Sequence, residues 1–209
     1  MHRAIHTSAA ALGLSAGLAG LEHGYFEWLQ GNARPEGLFI ASIGPPCDPA
    51  TAWNACEPAL TILPSFALTG ALAMLLGVAT AVWSLFFLAR PRGGAVLALL
   101  AVGLRLFGGG LFPPLIALVA ALLAWHIRRP LPGWAMRVGG LARLYPAALA
   151  LFLAVVLGQW VIGYFFNDWL ASVMGITVLL ILGLLLLAPL SAFARDSETA
   201  TRTAGSFAG

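Results

Sequence analysis

The sequence predicts an all-α polytopic membrane bundle of six segments with both ends in the cytoplasm, and three observations carry that expectation. Hydrophobic residues fill 60% of the 209 positions and charged residues only 9%, against about a quarter charged in a soluble domain. Apolar stretches close to the ~20 residues that a spanning helix needs recur along the chain. The arginines gather in alternate connections, as basic residues do on the cytoplasmic side of membrane proteins. A mean hydropathy of +0.92 excludes a soluble globular enzyme, a disordered chain and a nucleic-acid binder whose surface is set by charge.

The first stretch runs from Ala4 to about Gly24 and continues toward Leu29, and the second from Leu60 to Ala89. The third, Gly94 to Ile127, is too long for one helix and is broken by Gly108-Gly109-Gly110 and Pro113-Pro114. Glycine and proline there favour a turn, so two short helices, about 94–107 and 112–127, are expected. A re-entrant hairpin that does not cross stays open, because Arg92 and Arg128 share one side in both readings. Ala147–Phe166 and Trp169 to about Ala188 complete the six. Residues 1–194 form a single transmembrane unit with an extracytoplasmic loop at about 30–58. Residues 195–209 read as a disordered cytoplasmic tail. The connection 128–146 sets Trp134, Met136, Leu141, Leu144 and Tyr145 among Arg137 and Arg143, which suits a segment lying in the inner interface among anionic headgroups.

Orientation follows from charge. Arg3, then Arg90 and Arg92, then Arg128, Arg129, Arg137 and Arg143, then Arg195 and Arg202 occupy alternate connections, whereas Glu27, Glu36, Asp48 and Glu57 face only Arg34 in the region 27–57. Both termini are therefore expected inside and the long loop outside, in a bacterial cytoplasmic (inner) membrane. A cleaved signal peptide over the first twenty residues, leaving five spans, is the alternative. The formal charge of +3 comes from arginine alone, since the chain has no lysine; imine-forming chemistry is thereby removed.

Cys47 and Cys56 share that loop without a C-x-x-C motif, so no zinc ribbon or thioredoxin-like site is indicated. Outside the cytoplasm a disulfide between them is expected, stabilising by about 2–3 kcal/mol in the chain-entropy estimate; two free thiols are the alternative. Small residues recur on the first stretch at Gly13, Ala16, Gly17, Gly20 and Gly24, a spacing that lets backbones approach closely in lipid. Packing inside the bundle and a homo-oligomer contact are the two uses open to them. Tryptophans fall near the expected span ends, as in an aromatic belt.

Polar residues at membrane depth form the default site hypothesis. Glu22, His23 and Glu27 follow one another near the end of the first stretch, with His23 and Glu27 four apart on one helical face. Glu57 opens the second stretch, Gln159 lies on the fifth, and Arg105 stands near the outer end of the third with apolar sequence on both sides. An ion pair of Arg105 with Glu22 or Glu57 is expected, with snorkelling to the headgroups as the alternative. His23 with Glu27 makes a weak candidate for a metal such as zinc, iron or manganese. A proton relay and a satisfied structural network compete with it. The break Gly108, Gly109, Gly110, Pro113, Pro114 is a second candidate, because interrupted helices expose backbone groups to ions or substrates. It is no phosphate loop, lacking Lys, Ser or Thr after it.

The runs Leu21-Glu-His-Gly24, Glu57-Pro-Ala59 with Ile62-Leu-Pro64, and Gly108-Gly-Gly-Leu-Phe-Pro-Pro114 resemble a pattern of small uncharacterised bacterial multipass membrane proteins. The resemblance covers roughly residues 20–127 and implies no activity. The lysine-free, Ala/Leu/Gly-rich composition fits a high-GC bacterial coding sequence.

Two function classes follow. The first is a small transporter or channel-like protein with an outer-leaflet polar site of Glu22, His23, Glu27, Glu57 and Arg105, acting on an unknown solute or ion. The second is a non-catalytic subunit or assembly factor that packs against a partner membrane protein or a second copy. A membrane-embedded metalloenzyme is a remote third. The lipid bilayer is the one partner the composition dictates. Nucleic acid is not expected, and no cofactor is indicated.

Overall fold

The computed structural model describes residues 1–43, 50 and 52–206, with backbone only for 204–206. Cys47 and the expected Cys47–Cys56 bridge lie outside the described residues; Cys56 itself is not a free thiol. The elements in order are α1 (Arg3–Leu29), β1 (Phe39–Ala41), β2 (Pro58–Leu60), α2 (Phe66–Phe86), α3 (Gly93–Leu106), α4 (Phe112–His126), α5 (Trp134–Arg137), a 3-10 turn (Gly139–Leu144), α6 (Tyr145–Phe165), α7 (Asn167–Ser172) and α8 (Met174–Ser206). Among the described residues four helical stretches are long and apolar enough to cross a membrane: Arg3–Leu29, Phe66–Phe86, Gly139–Phe165 and Met174–Thr203. The helices α3 and α4 are apolar but shorter.

The helix α1 is the centre of the bundle, packed against α2, α4, α6 and α8. In lipid the hydrophobic effect does not press helices together, so close fit must. The α1–α2 contact is made of glycine. A Cβ on Gly17 would sit 2.6 Å from the backbone of Gly77 and Ala81, and one on Gly24 would sit 2.6–2.7 Å from that of Met74 and Gly70. Gly77 and Gly70 meet Gly17 and Gly24 in the same way from the other side. Gly13 faces Ser84, and Gly20 faces Leu104 of α3. The small residues of α1 are thus used inside the bundle. Behind α1, Ile5, Leu12, Leu97, Ala117, Ala120 and Phe152 are buried in one apolar cluster, while Phe86, Leu99, Leu122 and Ile176 point outward.

Helix ends follow local chemistry. The helix α2 starts at Phe66, six residues later than the apolar pattern suggests. Pro64 disfavours helical backbone before it, and Ser65 is extended (φ −148°, ψ 134°). The residues ahead of α2 bond elsewhere: Leu60 C=O accepts from Gly108 N–H (2.8 Å) and Ile62 N–H donates to Leu106 C=O (3.2 Å). At its other end α2 stops at Phe86 rather than Ala89, where the Trp83 indole N–H reaches over to Gly93 C=O (2.9 Å).

The helices α3 and α4 pack as a hairpin alongside α1. Its open end meets the start of α1, where His2 N–H donates to Ile127 C=O (3.1 Å). Its tip reaches His23, against which Gly110 is packed.

The segment from Arg195, expected to be disordered, is helical to Ser206. The start of α1 has no side-chain cap of its own. The buried carboxylate of Asp196 supplies one, accepting from Ala4 N–H (3.1 Å) and Ile5 N–H (2.9 Å), where a negative charge also meets the helix dipole. Ser197 Oγ adds a bond to Ala135 C=O (3.3 Å). Composition alone does not reveal such tertiary anchors. The last apolar stretch also divides differently: α7 is separate, and α8 starts at Met174 and continues through Pro189.

Candidate functional site

The last turns of α1 carry the polar residues, and the long loop folds back over them. Gln30 Nε2 fastens that loop by donating to Ala41 C=O (3.1 Å) and Ser42 C=O (2.9 Å). The two short strands then pair antiparallel, Ile40 opposite Ala59, which brings Asn54 and Glu57 over α1. The register continues past β2 as a bridge between Thr61 and Phe107, zipping the loop to the α3–α4 tip. Beneath it Thr69 Oγ1 donates to Ser65 C=O (2.9 Å). Its hydroxyl proton is then committed, so Thr61 Oγ1 is the donor in the 2.8 Å bond between the two threonines.

His23 is buried. Its Nδ1 lies 2.9 Å from Ser42 Oγ, and its Nε2 lies 3.7 Å from Glu57 Oε2, near enough to interact but beyond a hydrogen bond. Glu22 is held from two sides: the Trp160 indole N–H donates to Oε2 (2.6 Å) and Asn54 Nδ2 donates to Oε1 (3.2 Å). Burial, and secondly the negative charge of Glu22, push the Glu57 carboxyl from 4.5 up to about 7.

Glu22, His23 and Glu57 border a cavity of about 310 Å³, closed further by Trp53, Asn54, Phe112, Gln159 and Met174. Its walls come from α1, α4, α6, α8 and the loop before β2, and among the described residues no arginine lines it. Trp53 is seated by Gly163 of α6, where any Cβ would overlap the indole ring. The volume is at the small end of ligand pockets, and the pattern of apolar walls with a few converging polar groups is theirs.

The glycine tip packs behind His23 and Glu27. Gly108 (φ +86°) and Gly110 (φ +80°) occupy the left-handed region, which side chains with a Cβ rarely adopt. Both also touch the site: a Cβ on Gly110 would lie 2.5–2.7 Å from three atoms of the His23 ring, and one on Gly108 would overlap the Glu27 carboxylate. Glu27 is fully buried. Neither of its oxygens makes a hydrogen bond of ordinary geometry, and the Ser42 hydroxyl is a neighbouring polar group. Such a group is costly to bury, and the missing side chain at Gly108 leaves the room for it.

Of the expected site residues, Glu22, His23 and Glu57 converge. Glu27 shares the His23 face of α1 but meets the glycine tip instead of the cavity. Pro113 lines the cavity, whereas Pro114 lines a different hollow together with Arg105. The Arg105 pairing is corrected. Arg105 is half-buried among Val102, Leu106, Leu111 and Leu118, and among the described residues it forms no ion pair. Depth along a helix is readable from sequence, but the face is not, and α3 turns Arg105 away from α1. Among the described residues no three His, Cys, Asp or Glu side chains stand together as metal ligands. Trp53, Asn54, Ser42 and Trp160 were not foreseen. Trp160 reads as one more belt tryptophan, and nothing local marks it as the partner of Glu22. Comparison with protein-family models, with curated proteins and with solved structures yields no match.

Proposed function

We propose that this chain is a small multipass transporter of the bacterial cytoplasmic membrane that takes up a small organic cation in exchange for a proton. The observation that carries the reading is the cavity with two carboxylates, a buried imidazole and, among the described residues, no arginine. With Arg105 elsewhere, an anionic solute would find no counter-charge. A cation would find Glu22 and Glu57, with the aromatic Trp53 also lining the cavity. Glu57, titrating at about 7, is the group suited to trade its proton for the solute.

The reading takes six crossings, two of them made by the shorter helices α3 and α4. The α3–α4 hairpin runs beside α1 from His2 to His23. Those 21 residues of α1 rise about 31 Å, close to the ~30 Å hydrocarbon core. That length favours a crossing hairpin over a re-entrant one. With the arginines of the connections inside, both termini are cytoplasmic and the cavity opens outward. An outward loop also favours the Cys47–Cys56 disulfide.

The test uses tetraethylammonium as probe in proteoliposomes carrying an inside-acid pH gradient. Uptake above that of protein-free liposomes is expected. Glu22→Gln and Glu57→Gln should each reduce it by at least about tenfold, the loss of one charge-assisted contact of ~1.5–3 kcal/mol. Arg105→Gln should leave it unchanged. Uptake equal in all four proteins, or none in the wild type, contradicts the reading; a stoichiometric partner retained in mild detergent would point to the subunit class instead.

A further inference from the structure

The opposite end of the bundle holds a basic hollow, independent of the cavity just described. Where α2 turns into α3 and where α4 ends, Arg90, Arg92, Arg128 and Arg129 surround a concavity of about 420 Å³. Among the described residues no acidic side chain lines it, and none of the four arginines is ion-paired. Two are held by rings: the Arg90 guanidinium lies 4.7 Å over Phe87 and that of Arg129 lies 4.2 Å over Trp125. Such stacking fixes a guanidinium while leaving its N–H edge free to donate. Four like charges in one hollow repel one another, and an anion relieves the repulsion.

Trp125 lines the hollow and is 47% exposed, and the helices that lead away from it carry outward apolar side chains, Phe86 of α2 (70% exposed) and Leu122 of α4 (67%). A free phosphate would use the guanidiniums and leave that surface bare. A phospholipid would use both, its headgroup among the arginines and its acyl chains along α2 and α4. Basic pockets between helices at the membrane boundary take anionic headgroups. We infer that the hollow formed by Arg90, Arg92, Arg128 and Arg129 is a binding site for one anionic phospholipid.

The full chain, reconstituted in mixed phosphatidylglycerol–phosphatidylcholine bilayers and released into detergent, is tested by native mass spectrometry. The wild type should retain phosphatidylglycerol in preference to phosphatidylcholine. Each arginine removed should weaken retention about fivefold, so Arg92→Gln with Arg128→Gln should lose about 25-fold. Arg137→Gln with Arg143→Gln removes the same charge from the neighbouring connection and should leave retention within about twofold. Arg92→Lys with Arg128→Lys keeps charge and topology but loses the fork geometry, and should still lose retention severalfold. Equal losses in the two glutamine pairs, or a lysine pair equal to wild type, would overturn the site in favour of diffuse charge. Displacement of phosphatidylglycerol by inorganic phosphate at matched concentration would overturn the lipid assignment.

Discussion

Gly77→Leu is expected to separate α1 from α2 and to prevent recovery of folded protein. The position has no room even for a methyl group. A Cβ there would lie 2.7 Å from Gly17 C=O and 2.7 Å from Leu21 N, both backbone atoms that cannot swing aside. Overpacking in a core ordinarily costs about 1–3 kcal/mol, and leucine adds three more carbons against a helix axis. The same close approach recurs one heptad away at Gly24 and Gly70, so parting the helices at one point parts them at both. The cost reaches function because α1 carries Glu22 and His23. Fluorescence-detected size exclusion of the tagged protein checks this. A monodisperse peak at wild-type yield would show that α1 and α2 do not touch through these glycines.

The second large effect is at the hairpin tip. Gly110→Ala should lower stability by about 2–5 kcal/mol, combining the left-handed penalty of ~1–2 kcal/mol with overpacking against the imidazole. The Cβ would meet Nε2, Cδ2 and Cε1 of His23 at 2.5–2.7 Å, pushing the ring away from Ser42 and from the cavity. Only the steric part is relieved by truncating the histidine. Gly110→Ala combined with His23→Ala should therefore be less destabilised than the sum of the single variants, with a coupling above ~0.5 kcal/mol. Thermal melts of the four proteins supply the cycle. Strict additivity would mean that the tip does not pack on His23.

The sequence made the hairpin legible nearly to the residue, because glycine and proline mark turns by their own backbone preferences. The expected 94–107 and 112–127 stand against Gly93–Leu106 and Phe112–His126. It placed Glu22, His23 and Glu57 together because all three lie at one depth. Three other features depend on tertiary contact and left no local mark. One is the azimuth of Arg105. Another is the cap that Asp196 places on α1 from more than 190 positions away. The last is the Trp160 indole on Glu22. The late start of α2 was half-legible: Pro64 was in view, but the bonds from Leu60 and Ile62 to the tip were not.

Proton-coupled uptake requires a carboxyl group in the cavity that exchanges its proton near neutrality. The folded protein holds a proton on Glu57 up to about pH 7, whereas an ordinary carboxyl releases it near 4.5. The raised value therefore favours the fold fully below about pH 4.5, and that contribution is lost as pH rises through about 7. Its neighbours His23 and Glu22 share the site, so the assignment needs the single variant. pH-difference infrared spectroscopy of the protein in bilayers reads the carboxylic-acid C=O band directly. Exchange at Glu57 should give a band that bleaches with a midpoint near pH 7 in the wild type and is missing in Glu57→Gln. A band that bleaches only near pH 4.5, or one near neutrality that survives in Glu57→Gln, would contradict it.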